Sequence, residues 1–172
     1  MEVAAAGRAM ASNLAMALGM TVFMFSANLG YAAFSTHLSS QKLAAAIEEH
    51  LRPEDQVTIY GEFYGGSTIG FYTHRKTWIF NGQYKGLEFG SYYPDAPKIF
   101  LDDKSFPALW NSPQRVFLFV SQFQRREAYV RLPKDSTWLL AESGGKAIYV
   151  NQPVNPGQLS LAQMAEKHAP GE

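Results

Sequence analysis

The sequence contains no cysteine among its 172 residues. A disulfide framework, a zinc site built on thiolates and a cysteine nucleophile are therefore excluded. The sequence also has no excess of charge of either sign, because 15 lysines and arginines balance 15 aspartates and glutamates. Nucleic-acid-binding domains usually carry a basic stripe that neutralises phosphates, so this balance argues against a nucleic-acid partner.

Charged residues are also missing from the 26 positions between Ala9 and Phe34. About 20 apolar residues are enough for a helix to cross the hydrocarbon core of a bilayer. The stretch predicts a transmembrane helix at about 9–34, within an N-terminal segment 1–38. A cleaved signal peptide and a buried helix of a soluble protein are the alternatives, but the uncharged run is long for a signal peptide. Arg8 favours a cytoplasmic N-terminus under the positive-inside rule.

The pattern of residues 39–152 predicts a small α/β domain. Ser39 and Ser40 are suited to cap a helix, which Pro53 would end. The run Val116–Val120 is apolar at every position, which is typical of a strand buried on both faces. Helices and strands alternate along the chain and a hairpin follows them, so we expect a mixed sheet with a parallel core and a Rossmann-like layered fold. The predicted strands are 57–60, 77–80, 99–101 and 115–121, with a hairpin of 138–142 and 147–151.

Several segments between these strands have less regular patterns. We expect Gly65 and Gly66 to break the chain before a short helix at 67–72, and a second short helix at 104–110. Residues 83–97 contain four aromatics together with glycines and prolines, which indicates an ordered loop. Residues 153–172 predict a loose tail with a weak helix at 159–168.

The segment Gly61–Thr68 has the spacing of a phosphate-binding loop. It follows a predicted strand, as such a loop must, but Ser67 stands where the motif requires a lysine. Phe63 and Tyr64 also fill a loop that needs close backbone approach. A glycine-rich turn between a strand and a helix is therefore the better interpretation.

Carboxylates offer two further candidate sites. Asp102 and Asp103 could bind a divalent metal, but adjacent residues of a strand point to opposite faces. A helix cap before Lys104 is the preferred interpretation. Glu62, His74 and Asp102 could meet at strand ends, where α/β folds bind ligands, although no spacing requires it. No serine lies in a nucleophile-elbow pattern, so hydrolase chemistry has no support.

The segment Asn81–Pro97 combines aromatic side chains with amide and carboxylate groups. Such a mixture suits the binding of sugars or lipid headgroups, whereas packing of the loop onto the core is the simpler alternative. The residues concerned are Tyr84, Phe89, Tyr92 and Tyr93, interleaved with Asn81, Glu88 and Asp95.

Dispersed short motifs across residues 10–152 resemble a known family. The chain is similar to the C-terminal extracytoplasmic domain, with the last transmembrane helix, of bacterial family 39 glycosyltransferases. That family is similar to the aminoarabinose transferase of lipid A and to protein O-mannosyltransferases. The motifs are Tyr60-Gly61-Glu62, Ser67, Phe71-Tyr72, Arg75, Asn81-Gly82, Gly90-Ser91-Tyr92, Asp95-Ala96-Pro97 and Ser143-Gly144-Gly145-Lys146, after the serine-rich link Leu38-Ser39-Ser40.

The resemblance implies transfer of a sugar from a polyprenyl-phosphate donor to a lipid, glycan or protein acceptor at the outer face of the bacterial inner membrane. The family's catalytic aspartates and metal-associated residues belong to loops between early transmembrane helices that have no counterpart here. No catalytic residue, metal ligand or cofactor therefore carries over to this chain. The implied partners are membrane lipid, a polyprenyl-phosphate sugar donor and the other transmembrane helices of a full-length protein, with the domain on the periplasmic side. The substrate-facing candidates are Tyr60, Glu62, Asn81, Tyr84, Tyr92 and Asp95.

Two interpretations of the chain follow. Met1 directly precedes Glu-Val-Ala-Ala-Ala, which looks like a cut point inside a longer protein, and a true start is the alternative. The chain is then the accessory C-terminal portion of a transferase, inactive by itself. Otherwise it is a membrane-anchored binding or scaffolding domain with no enzyme activity.

Overall fold

A computed structural model of the protein describes residues 2–84 and 86–167. Contacts within the chain divide it into two compact units, Met1–Leu38 and Ser39–Glu172. The first unit is a single helix and the second is a mixed α/β domain. This architecture confirms the predicted class, an apolar N-terminal helix followed by an α/β domain.

The first unit is helix α1, Glu2–Leu38. Within it, the 29 residues Gly7–Ser35 are long and apolar enough to cross a membrane. Large apolar side chains are exposed along this stretch, including Leu14 and Phe25. A helix that is apolar on all sides is typical of a membrane span. The hydroxyls of Thr21 and Ser26 donate to carbonyl oxygens four residues earlier, at 2.8 and 2.9 Å, so they are satisfied within the helix.

The second unit is built on a six-stranded sheet with the order β3-β2-β1-β4-β6-β5. The first four strands of that order are parallel, and β6 runs antiparallel to both β4 and β5. The predicted mixed sheet with a parallel core and a final hairpin is therefore confirmed. The strands are β1 Gln56–Tyr60, β2 Thr77–Phe80, β3 Phe100–Leu101, β4 Val116–Val120, β5 Trp138–Ser143 and β6 Lys146–Val150.

Helices cover both faces of this sheet because successive strand residues point to opposite sides. One core packs α2 and α3 against Ile59, Phe117 and Ile148. The other packs α5, α6 and α7 against Tyr60 and Leu118. All five residues of β4 are buried, as a central strand covered on two faces requires. The helices are α2 Gln41–Glu48, α3 Phe63–Thr73, the single turn α4 Glu88–Ser91, α5 Ser105–Trp110, α6 Arg125–Arg131 and α7 Leu161–Lys167, with a 3₁₀ turn at Lys134–Ser136.

Helix α3 begins four residues before the predicted start, so the expected chain break at Gly65 and Gly66 is wrong. A Cβ atom at Gly66 would lie 2.7 Å from Phe119 Cδ1 and 2.9 Å from Ile59 Cγ1. Close approach of the helix to the sheet, rather than a turn, explains this glycine.

Two further helices differ from the sequence prediction. Helix α2 ends at Glu48, well before Pro53, and Ser39 Oγ accepts a hydrogen bond from the backbone N–H of Gln41 at 3.1 Å. Helix α6 was not predicted at all. The tail contains α7 where a weak helix was expected, and the predicted end of that helix at His168 lies outside the described residues.

Candidate functional site

The carboxyl ends of the parallel strands form the candidate site. Strand β1 leads through α3 to β2 on one side, whereas β4 lies on the other side of β1. The loops that follow β1 and β4 therefore diverge, and α/β folds bind ligands in the crevice at such a point. We call this side of the sheet the carboxyl edge. It is formed by the segments after Tyr60, Phe80, Leu101 and Val120.

The end of β1 packs closely against the loop that follows β4. Gly61 has φ +72°, and a Cβ atom there would lie 2.0 Å from Gln124 Nε2. The buried Gln124 amide, oriented to satisfy its neighbours, donates to the Tyr60 carbonyl oxygen at 2.7 Å and accepts from the Glu62 N–H at 3.1 Å. One side chain from the loop after β4 thus fixes the end of β1.

Tyr60 lies beneath this edge and is fully buried. Its hydroxyl makes no hydrogen bond of ordinary geometry, although Asn81 and Glu127 are close to it. Burial, opposed by Asn81 and reinforced by Glu127, raises the pKa of Tyr60 to about 12. The phenol therefore stays neutral at physiological pH. Its ring packs edge-on against Phe80 with centroids 5.3 Å apart.

A polar network crosses the surface above Tyr60. Asn81, in a left-handed conformation with φ 56°, donates from Nδ2 to Glu127 Oε1 at 3.0 Å. Arg131 pairs with Glu127 at 3.7 Å and with Asp103 Oδ1 at 2.6 Å. These side chains are partly exposed, so each ion pair contributes only about 0–1 kcal/mol to stability. The network instead presents amide, carboxylate and guanidinium groups that can bind hydroxyls or phosphate oxygens of a ligand.

Asp102 caps α5, as predicted. Its Oδ1 accepts from the backbone N–H groups of Ser105 at 2.7 Å and Lys104 at 3.0 Å. The Ser105 hydroxyl also donates to it, and these hydrogen bonds hold the pKa of Asp102 at about 2. Asp103 instead binds Arg131, so the two aspartates do not form a shared pair. Within residues 2–84 and 86–167, no three His, Asp or Glu side chains cluster as metal ligands would.

Two groupings suggested by the sequence do not form. Glu62 precedes α3 and His74 follows it, so they are separated by an 11-residue helix of about 16 Å. The proposed meeting of Glu62, His74 and Asp102 is therefore wrong. Gly65 and Gly66 of the phosphate-loop-like segment lie inside α3, and only Gly61 precedes the helix, so no open phosphate loop exists there.

The loop aromatics are exposed rather than packed onto the core. Tyr84 is 71% exposed, Phe89 84% and Tyr93 68%. Tyr92 is exposed too, and its hydroxyl donates to Glu88 Oε1 at 2.8 Å, which raises the pKa of Tyr92. The segment is anchored by a 3.0 Å hydrogen bond from Gln83 Nε2 to Ser91 Oγ. The simple packing explanation for these aromatics is wrong.

The six candidate residues are distributed unequally. Asn81 and Tyr84 line a cavity of about 130 Å³ that Asp102 and Asp103 also border. Glu62 is exposed nearby at the end of β1, whereas Tyr92 and Asp95 lie exposed farther along the loop. Tyr60 is fully buried, so it could affect a bound ligand only through the side chains above it, Asn81 and Glu127. A substrate-facing role for these residues stays a prediction.

Sequence reasoning missed Gln124, Glu127 and Arg131, which complete the carboxyl edge. All three belong to α6 or its N-terminal boundary, a helix absent from the sequence prediction. The i, i+4 spacing of Glu127 and Arg131 is a helix signal that was available. It was masked by the short length of the helix, seven residues.

Comparison with protein-family models finds no match, and no curated protein sequence matches either. Two crystal structures of ArnT from Cupriavidus metallidurans are similar to this chain. The apo structure aligns with a TM-score of 0.56 and 22% identity, over 72% of this chain and 22% of that one. The structure bound to undecaprenyl phosphate aligns with a TM-score of 0.53 and 23% identity, over 72% of this chain and 21% of that one. This chain therefore spans about a fifth of the length of ArnT. The resemblance predicted from short motifs is confirmed, and the chain has the fold of one portion of ArnT.

Proposed function

We propose that this chain is the C-terminal portion of a membrane glycosyltransferase, which transfers a sugar from a polyprenyl-phosphate donor to a lipid, glycan or protein acceptor. The observation that carries the proposal is the likeness in fold to ArnT over 72% of the chain. ArnT also has a structure bound to undecaprenyl phosphate, which supports the class of donor lipid. The 29-residue apolar stretch of α1 supports a membrane location. The proposal places the chain in the inner membrane with the α/β domain on the periplasmic side.

In this proposal the α/β domain is an accessory domain whose carboxyl edge faces the substrate. Exposed tyrosines stack on sugar faces, and the amide and carboxylate groups beside them bind hydroxyls. The two pKa values that are strongly shifted at this edge, about 12 for Tyr60 and about 2 for Asp102, both lie far from neutral pH. General acid–base catalysis works best near the operating pH, so these two groups are suited to structure rather than proton transfer.

A binding or scaffolding domain without enzyme activity is the second candidate. The observation that favours it is the exposure of Tyr84 and Phe89, since unpacked aromatics are typical of binding surfaces. The two candidates differ in what surrounds the chain. A transferase requires further hydrophobic spans and a loop carboxylate upstream of residue 1 in the gene, whereas a scaffold does not.

The experiment compares sugar transfer by the complete gene product in membranes with transfer by this chain alone, using an undecaprenyl-phosphate sugar as donor. We expect transfer only by the complete product, because the chemistry needs a carboxylate held beside donor and acceptor in a membrane cavity. Replacing Tyr92 with Ser and Asp95 with Asn together should weaken transfer at normal expression. The control is Phe71→Ser, which removes another exposed aromatic, 71% against 60% for Tyr92, from the far end of α3.

Three outcomes would contradict parts of the proposal. Turnover by this chain alone would overturn the accessory role. Unchanged transfer by the double variant would overturn the substrate-facing role of the loop. A gene that encodes no further hydrophobic span would leave the scaffold as the function.

A further inference from the structure

A further cavity lies beside strand β3, at the outer end of the sheet. Its volume is about 390 Å³, which is within the range of about 300–1,000 Å³ that is usual for small-molecule sites. We call it the β3 cavity. It lies entirely within the α/β domain, and its lining includes Gln83, Ser91, Tyr93, Pro97, Lys98 and Phe100.

The β3 cavity is separate from the cavity at the carboxyl edge. Phe100 borders the first and Leu101 borders the second. Adjacent residues of a strand point to opposite faces, so the two cavities lie on different sides of β3. Gln83 borders both, at the point where the chain has left β2. A ligand in the β3 cavity therefore leaves the carboxyl edge free for a substrate.

Hydrogen bonds within the loop after β2 hold the walls of the β3 cavity in place. Gln83 Nε2 donates to Ser91 Oγ at 3.0 Å, and Ser91 Oγ donates to the Glu88 carbonyl oxygen at 2.7 Å. The Ala96 N–H donates to the Tyr93 carbonyl oxygen at 3.0 Å, which closes a four-residue turn in the wall. The cavity is therefore formed before any ligand binds, as small-molecule sites usually are.

Two polar groups of the lining are available to a ligand. Among the described residues, Lys98 Nζ has no hydrogen-bond or ion-pair partner, and Gln83 Oε1 accepts no hydrogen bond. Lys98 is also the only charged side chain among the described residues of the lining, since Asp95, exposed in the same loop, does not border the cavity. Asp102 and Asp103 border the cavity on the other face. An anion is therefore favoured in the β3 cavity and disfavoured at the carboxyl edge.

Aromatic rings and prolines give the cavity apolar surfaces beside these polar groups. Phe100 is only partly buried and belongs to neither of the two hydrophobic cores, and Tyr93 is exposed. Such rings stack on the C–H face of a sugar, whose hydroxyls can donate to an amide oxygen. An apolar anion such as a fatty acid has no hydroxyl that could pair with Gln83 Oε1. The lining therefore fits a sugar ring that bears a negative charge.

We propose that the β3 cavity binds a pyranose that carries one anionic group, either a carboxylate or a phosphate. Lys98 pairs with the anionic group, Gln83 accepts from a ring hydroxyl, and Tyr93 and Phe100 contact the face of the ring. The site goes beyond the proposed function, because it requires neither a polyprenyl-phosphate donor nor sugar transfer. Since the ion pair is exposed, binding is reversible and weakens as the salt concentration rises.

Amide chemical shifts of the complete chain, labelled with ¹⁵N and held in detergent micelles, locate and measure the binding. The probes are glucuronic acid, glucose 6-phosphate, glucose and cyclohexanecarboxylate. We expect both acidic sugars to shift the amides of Ser91, Ala96 and Lys98, with dissociation constants about fivefold lower than that of glucose, as an exposed ion pair allows. Cyclohexanecarboxylate has the ring and the charge without the hydroxyls, so it should bind more weakly than glucuronic acid.

Charge reversal at Lys98 tests the ion pair. Lys98→Gln should reduce the affinity for glucuronic acid to that for glucose. Lys98→Glu should invert the preference, so that glucosamine, which carries an ammonium group, binds more tightly than glucuronic acid. Lys42→Gln, which removes another exposed lysine from α2, is the matched control and should leave every affinity unchanged. Circular dichroism of each variant checks the fold.

Each result either supports the site or overturns it. Tighter binding of either acidic sugar supports it and identifies the anionic group. Equal affinities for glucose and both acidic sugars would overturn the recognition of charge, and so would a preference that survives Lys98→Gln. Cyclohexanecarboxylate that binds as tightly as glucuronic acid would show that no sugar is recognised. None of these results affects the proposed function, which concerns the other face of β3.

Discussion

The ammonium group of Lys146 lies 3.3 Å from the hydroxyl of Ser40, a residue 106 positions earlier in the chain. Both residues are buried, and burial lowers the pKa of Lys146. The contact joins the start of β6 to the start of α2. It places the first residues of the domain at the carboxyl edge, on which the candidate site also lies.

The adjacent glycines of α3 should respond in opposite directions to alanine. Gly65→Ala should raise the free energy of unfolding by about 1 kcal/mol, because alanine is the better helix former and its Cβ would make only an ordinary 3.5 Å contact with Ser121. Gly66→Ala should lower it by about 1–3 kcal/mol, since its Cβ would clash with Phe119 and Ile59. Urea unfolding of the two variants measures both. Equal effects of the same sign would show that α3 does not approach the sheet this closely.

Truncation of Leu118 should test the central position of β4. The side chain is fully buried between β1 and β6, so Leu118→Ala should cost about 2–5 kcal/mol. Leu118→Asp should cost more, because it buries an unpaired charge. Guanidinium unfolding gives the values, with Val130→Ala on the exposed side of α6 as control. A melting temperature that Leu118→Asp leaves unchanged would place the strand at an exposed edge.

Acid should weaken the cap of α5 in a defined pH range. The folded-state pKa of Asp102 is lowered from 3.8 to about 2. Its contribution to stability is therefore complete above the unfolded value and is lost as the pH falls through the folded value. The difference in melting temperature between the wild type and Asp102→Asn should be constant above about pH 5 and shrink toward pH 2. Asp103→Asn, which removes only an exposed ion pair with Arg131, is the control and should keep the wild-type pH profile.

Removal of residues 1–38 should release the domain from membranes. The second unit, Ser39–Glu172, contains both hydrophobic cores, so we expect a folded and soluble product. The deletion removes the 29-residue apolar stretch Gly7–Ser35, so we expect the product not to bind membranes. Flotation of both proteins on vesicles measures the difference. A truncated protein that floats as completely as the full chain would show that α1 is not the anchor.

Local pattern alone located most of the strands and the apolar helix. The 26 uncharged positions and the continuous apolar run of β4 depend only on residues close in sequence, and both elements were placed correctly. The hairpin followed from its turn residues Ser143–Lys146 for the same reason. The parallel core followed from the alternation of helices and strands.

Contacts between residues far apart decided the rest. In the sequence, Gly65 and Gly66 resemble a chain break. In the structure Gly66 lies inside α3, where the absence of a Cβ atom leaves room for the Phe119 ring. Helix α6 has seven residues, too few to show a clear helical periodicity of apolar residues. It is stabilised by the burial of Ala128 and by the hydrogen bond from Asn81 to Glu127. Tyr84 and Phe89 would suit a packed loop equally well by composition. Their exposure, and their place on the edge where Lys146 holds Ser40, depend on how the strands are ordered in the sheet. Strand order is set by packing between distant segments, which no local pattern encodes.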